Sequence, residues 1–190
     1  NEVAAIGVQV HGGMGFIEET GAAQHARDAR ILTIYEGTNG IQALDLVGRK
    51  LPLGNGKVVR DYIGEMRETA EVCRQSNNPV LVDVADKLGD ASSILEETTE
   101  WLMKDGKPMD VLAGATPYLR LFALTAGGHY LARGAYAVTQ QAVNPQFAQR
   151  KMATAQFFAH NLLSQCSGLA TSVKAGNEML DDIGLEALVS

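Results

Sequence analysis

Apolar positions recur at threes and fours along most of this 190-residue chain, and no stretch shows the two-residue alternation of a half-buried strand. Over 57–75, Val59, Tyr62, Ile63, Met66, Ala70 and Cys73 make one stripe, with Arg60, Asp61, Arg67, Glu68 and Glu71 elsewhere on the cylinder. Asn78 followed by Pro79 reads as an N-cap and a first-turn proline. A helix should run from there to about Lys104, turning Leu81, Val84, Ala85, Leu88, Ile94, Leu95, Thr98, Trp101 and Leu102 inward, until the DGKP stretch ends it. Met109 to Val143 is apolar on nearly every side, as a central helix would be, and Pro117 should kink it or mark its true start. Asn144 and Pro145 restart a helix expected to reach about Ile183. Its stripe is Met152, Ala155, Phe158, Leu162, Cys166, Leu169 and Val173. Four antiparallel helices with short breaks predict a bundle, in an all-α protein without internal repeats.

The first fifty residues are patterned differently. Val3, Ile6 and Val10 sit at helical spacing, and the pattern stops at Gly12 and Gly13 as a helix C-terminus would. The glycine-rich 12–20 reads as a connector and 21–30 as a short helix. Ile41, Leu44 and Leu51 share a helical face, and PLGNG at 52–56 is the strongest breaker cluster in the chain. The expected division is therefore 1–51 and 57–183.

Between the short helix and that face lies ILTIYEGTNG, residues 31–40. An apolar run ends there in one carboxylate, Glu36, followed at once by Gly37, Thr38, Asn39 and Gly40. A desolvated carboxylate is expensive unless something uses it. Glycines let backbone approach a ligand closely, and Thr38 stands where a helix start leaves amides unpaired. The plain alternative is that Thr38 and Asn39 cap the helix while Glu36 projects into solvent. QVHGGMG, residues 9–15, is a second polar and glycine cluster at a helix end. Each alone is weak, but two such clusters flanking RDAR are more specific.

Composition narrows the partners. Hydrophobic residues make up 46% and charged residues 20%, enough for a real core. A net charge of −6, with no concentration of Lys and Arg, argues against nucleic acid and against an acidic membrane surface. No apolar run reaches the roughly 20 residues of a membrane span, and no signal peptide is recognisable, so a cytoplasmic protein is expected. Cys73 and Cys166 lie within helical patterns and read as reduced, packed thiols. The four histidines are isolated, so no metal site is expected. His129 and His160 read as packed or hydrogen-bonded residues. Arg120 and Arg133, on the most apolar helix, are expected to pair among Glu96, Glu97 and Glu100. Phe157 and Phe158 read as core or subunit contacts.

Residues 7–42 strongly resemble the end of the C-terminal helical domain of flavin-dependent acyl-CoA dehydrogenases. The resemblance rests on a Gln-x-x-Gly-Gly-x-Gly pattern, an Arg-Asp-Ala and a Tyr-Glu-Gly-Thr, in order. Residues 57–183 look like the extra C-terminal helical bundle of a long-form bacterial branch. The resemblance implies an FAD enzyme that converts an acyl-CoA thioester to a trans-2-enoyl-CoA, with Glu36 as the base that removes the α-proton. Burial among Ile34, Tyr35 and an acyl chain would desolvate Glu36 and strengthen it as a base. Backbone amide near Glu36 would steady the thioester oxygen. Tyr35 and Gly37 fall to the substrate side. Thr38 and Gly40 match positions that contact the flavin. Gln9, His11, Gly12 and Gly13 match the segment that reaches the FAD of a neighbouring subunit, implying a homo-oligomer. Electron-transfer flavoprotein is the implied acceptor. Arg27 and Asp28 of the Arg-Asp-Ala pattern read as a structural salt bridge or cap. Gly40 stands where many members carry Gln, leaving only backbone for that contact, and His11 stands where an apolar or aromatic residue is common.

The chain opens at Asn1 in what reads as mid-helix, so a piece of a longer protein is expected, one that by itself binds little or no FAD. The competing reading is a non-catalytic helical interaction or oligomerisation module that keeps the loop residues as caps.

Overall fold

Residues 1–178 are described by a computed structural model, and every regular element among them is helical. Two compact units divide the chain, residues 1–42 and residues from Ala43 onward. In the first, α1 (Glu2–Val10), α2 (Gly13–Phe16) and α3 (Ala22–Ile31) pack on one another. The stretch 12–20 is thus more than a connector. It holds the single turn of α2 and a 3₁₀ turn at Glu18–Thr20, tied together where the Thr20 hydroxyl donates to the Met14 carbonyl at 2.8 Å. Gly15 and Ala22 are the buried residues of this unit, and the α1 stripe of Val3, Ile6 and Val10 is exposed.

The boundary between units falls within α4 (Asn39–Asp45), which passes at Leu46–Lys50 into a wider turn. There the Leu51 N–H donates to the Leu46 carbonyl, five residues back, at 2.9 Å. The buried seam is Ala43, Val47 and Leu51, spaced by four. Ile41 and Leu44, expected on one face with Leu51, are exposed. Their three-residue spacing follows an ordinary helix, whereas the widened turn favours the four-residue row.

The remaining helices are α5 (Lys57–Arg74), α6 (Pro79–Lys104), α7 (Pro108–Ala113), α8 (Ala115–Gln140), α9 (Pro145–Asn161) and α10 (Cys166–Lys174). Ion pairs fix their directions. Arg60 with Glu100, Arg67 with Glu96 and Arg74 with Asp86 set α5 against α6 head to tail. His160 with Asp83 and Lys174 with Glu97 set α9 and α10 along α6 in the same sense. Tyr62 stacked on Phe122 and Cys73 beside the Ala132 carbonyl set α8 along α5. Ile63, Met66, Leu81, Leu88, Leu95, Tyr118 and Leu121 fill the space between them with at most 1% exposure. Each such aliphatic side chain contributes about 1.5–3 kcal/mol by leaving water.

The cap predicted at Asn78 forms, and the helix restart at Asn144 is capped in the same way. Asn78 Oδ1 accepts from the Val80 and Leu81 amides at 3.0 and 3.4 Å, and Asn144 Oδ1 from Gln146 and Phe147 at 2.9 and 3.3 Å. The apolar stretch from Met109 splits at Gly114, and Pro117 lies in the first turn of α8, marking its start rather than a kink. Two expectations are corrected. The helix from Pro145 is not continuous: it breaks at Leu162 into a 3₁₀ turn, Leu163–Gln165, before α10. Side-chain amides of Asn161 and Gln165 compete there for the Phe157 and Asn161 carbonyls. Its predicted end at Ile183 lies outside the described residues. The second correction concerns Glu96, Glu97 and Glu100. They serve Arg67, Lys174 and Arg60 with Lys104, because their face of α6 meets α5 and α10. Arg120 donates instead to Gln165 at 3.1 Å, and Arg133 lies 5.8 Å from the Tyr130 ring centre. Cys73 and Cys166 are free and fully buried, and burial pushes both thiols upward.

Candidate functional site

The loop after α3 is built from successive turns. The Thr33 and Ile34 amides donate to the Arg30 and Ile31 carbonyls at 3.1 and 3.0 Å, and the Thr33 hydroxyl adds a bond to Arg30 at 2.8 Å. The chain then reverses through two left-handed residues, Glu36 at φ 58° and Gly37 at φ 104°. Glycine adopts this region without cost, but an L-residue such as Glu36 gives up about 1–2 kcal/mol. Gln42, one turn into α4, holds the reversal: its Nε2 donates to the Glu36 carbonyl at 2.8 Å. The Asn39 amide donates to the Thr33 carbonyl at 3.3 Å, and the Gln42 amide to that of Thr38 at 3.0 Å.

Tyr35, Glu36, Thr38 and Gly40 are thereby presented together on one exposed loop with Gly37 half-buried between them. The enclosure expected around Glu36 is not formed by its own neighbours, since Ile34 and Tyr35 are 47% and 52% exposed. They flank the carboxylate along the chain without folding over it. Gln42 was not a candidate from sequence. Its signal is a long amide side chain placed one helical turn beyond a glycine-flanked carboxylate.

The second cluster closes α1. His11 Nδ1 lies 2.8 Å from the Gly7 carbonyl, so its ring folds back on its own helix, and Gln9 is exposed. Gly12 takes φ 61°, and a Cβ added at Gly12, Gly13 or Gly40 would meet nothing within 4 Å. Open backbone at these three positions fits a flat or anionic group approaching closely. No hydrogen bond among the described residues joins Gln9–Gly13 to Tyr35–Gly40. Between the clusters, Arg27 Nη2 reaches Glu18 Oε2 at 2.9 Å and Gln24 Oε1 at 2.7 Å, while Gln24 bonds Asp28 at 2.6 Å. The Arg-Asp pair thus braces the first unit.

Elsewhere, His160 Nε2 sits 2.7 Å from Asp83, and this bond, with one from Gln156, holds the Asp83 carboxyl below its usual range. Among the described residues no cluster of three His, Cys, Asp or Glu is placed for a metal ion, and no helix is long and apolar enough to cross a membrane.

Comparison with known proteins places both halves of the sequence. The family described as "Acetyl-CoA dehydrogenase C-terminal like" matches residues 62–183, and "Acyl-CoA dehydrogenase, C-terminal domain" matches residues 1–52. The 3-methylmercaptopropionyl-CoA dehydrogenase of Ruegeria pomeroyi is 40% identical over 171 residues, 87% of this chain and 29% of that protein. A butyryl-CoA dehydrogenase of Syntrophomonas wolfei is 27% identical over 191 residues, 96% of this chain and 31% of that protein. The caffeyl-CoA reductase-Etf complex subunit CarC of Acetobacterium woodii is 45% identical over 51 residues, 27% of this chain and 14% of that subunit. The chain therefore spans less than a third of the length of these relatives.

Proposed function

Because the chain belongs to the acyl-CoA dehydrogenase C-terminal domain family, we propose that it forms the C-terminal part of an FAD-dependent enzyme that oxidises an acyl-CoA thioester to a trans-2-enoyl-CoA. In this reading residues 1–51 close the catalytic helical domain and 57–183 form the added helical domain. Glu36 is the base that takes the α-proton. Tyr35 and Gly37 border the thioester, and backbone amide beside Glu36 steadies its oxygen as enolate charge develops. Bound FAD would supply the acceptor for the β-hydrogen as hydride. Thr38 and the open backbone of Gly40 meet the flavin. Gln9, His11, Gly12 and Gly13 meet the FAD of a neighbouring subunit in a homo-oligomer. Electron-transfer flavoprotein is the acceptor, a reading supported by the likeness to a subunit named for an Etf complex.

One observation carries the role of Glu36: an exposed carboxylate on a left-handed L-residue, pinned through its own carbonyl by Gln42. A carboxylate that merely projected into solvent would not need a strained backbone. With Ile34 and Tyr35 exposed, its desolvation falls to the substrate and to protein surface closing over the loop.

The test is an assay of the enzyme that contains this chain against a series of acyl-CoA thioesters with an artificial electron acceptor, beside Glu36→Gln. Loss of a positioned base lowers turnover by about 10²–10⁴-fold. Exchange of the α-proton with solvent deuterium should fall in parallel. A variant with near-normal rate sinks the assignment.

A further inference from the structure

Within the second unit, α5 and α8 enclose a groove of about 450 Å³. Glu65, Glu68 and Thr69 line it from α5, and His129, Arg133 and Tyr136 from α8, each set on one helical face. His129 forms part of its floor. It is 2% exposed, and neither ring nitrogen has a hydrogen-bond partner among the described residues. Around it stand the Tyr62 and Tyr130 rings, with centroids 6.0 and 4.9 Å away. Buried polar groups are ordinarily hydrogen-bonded, so an imidazole with both nitrogens unmatched calls for an explanation.

At the rim, no ion pair among the described residues engages the two carboxylates. Glu65 and Glu68 take no part in the ion pairs of their neighbours Arg60, Arg67 and Arg74, and Arg133 rests over the Tyr130 ring. The groove thus offers a cation from one helix and two anions from the other, above an imidazole. Burial, aided by Arg133 and opposed by Glu65, pushes His129 below its ordinary value, so at neutral pH it presents one N–H donor and one bare acceptor.

We propose that this groove binds a small zwitterion, a molecule with one carboxylate and one ammonium group, its carboxylate on Arg133 and its ammonium between Glu65 and Glu68. A zwitterion brings both an acceptor and a donor, which is what a neutral imidazole lacks. Val72 and Ala137 give a short carbon chain an apolar wall. Both His129 nitrogens are shielded from solvent, so the ligand's charged groups meet the exposed rim first and reach the imidazole only as the side chains around it shift. The inference concerns the second unit and does not rest on the role of Glu36.

Two-dimensional amide NMR of the 190-residue chain tests it, with β-alanine, 4-aminobutyrate and 6-aminohexanoate as probes and butyrate and butylammonium as singly charged controls. Saturable shifts at Thr69, Cys73, His129 and Tyr136 are expected for at least one zwitterion. Binding should weaken by about tenfold or more in Arg133→Gln and in the double variant Glu65→Gln, Glu68→Gln. These three side chains are at the exposed rim, so the fold should survive their replacement. A flat response to all three zwitterions, equal binding of either control, or unchanged affinity in the variants overturns the proposal.

Discussion

Tyr118 is fully buried in α8, and its hydroxyl lies 2.7 Å from Thr99 Oγ1 on α6. Thr99 Oγ1 also donates to the Leu95 carbonyl at 2.7 Å. The threonine has one proton and the carbonyl can only accept, so the tyrosine must be the donor between the helices. That assignment makes the two deletions unequal. Tyr118→Phe removes the donor and leaves Thr99 bonded to Leu95, which should cost about 0.5–1.5 kcal/mol. Thr99→Val leaves the tyrosine hydroxyl buried with no acceptor, which should cost about 1–3 kcal/mol. The double variant should return toward the Tyr118→Phe value, because two apolar groups need no partner. Urea unfolding of wild type and the three variants, read by circular dichroism at constant slope, measures each step. Burial also raises the Tyr118 hydroxyl well above its usual range, so its absorbance change should appear only with alkaline unfolding. The donor assignment is refuted by Tyr118→Phe costing more than Thr99→Val, or by a double variant equal to the sum of the singles.

Asn78→Ala removes the acceptor of the Val80 and Leu81 amides and should lower stability by about 1 kcal/mol, with Asn78→Asp restoring most of it in the same urea assay. His129 has a folded value below the ordinary 6.5, chiefly through burial, so the unfolded chain takes the proton first as pH falls. Stability attributable to it is complete above pH 6.5 and is lost from there down to the folded value. His129→Leu should flatten that part of a melting profile, and an unchanged slope would contradict the burial argument. Glu100 is held at about 2 against an ordinary 4.5, first by Arg60 and then by Lys104. Its contribution is complete above pH 4.5 and fades as pH falls toward 2. The stability difference between wild type and Glu100→Gln should therefore shrink over that interval.

What could be read early follows from local physics. Asn78–Pro79 and Asn144–Pro145 mark helix starts because a cap and a φ-restricting ring act within one turn. The stripe of α5 is legible for the same reason, since its residues lie three and four apart. The break at Leu162 is not legible, because Leu162 continues the apolar register and the competing amides, Asn161 and Gln165, look like ordinary surface residues. Nor is the pairing of Glu96, Glu97 and Glu100, which depends on which neighbours α6 meets. At the candidate site, the carboxylate followed by glycine is visible as a pattern, while the positive φ of Glu36 and the hold of Gln42 are not.

The sequence by itself determined that the protein is helical, where most helices begin, and that Glu36 stands in a glycine-flanked loop, because each of these depends on residues a few positions apart. Only the tertiary structure decided that Ile34 and Tyr35 leave that carboxylate uncovered. It alone decided that His129, packed as expected, has no partner for either nitrogen among the described residues, and that Glu65, Glu68 and Arg133 face one groove. Glu65 and Glu68 lie more than sixty positions before His129 and Arg133, and nothing in a local pattern records which surfaces of α5 and α8 come together.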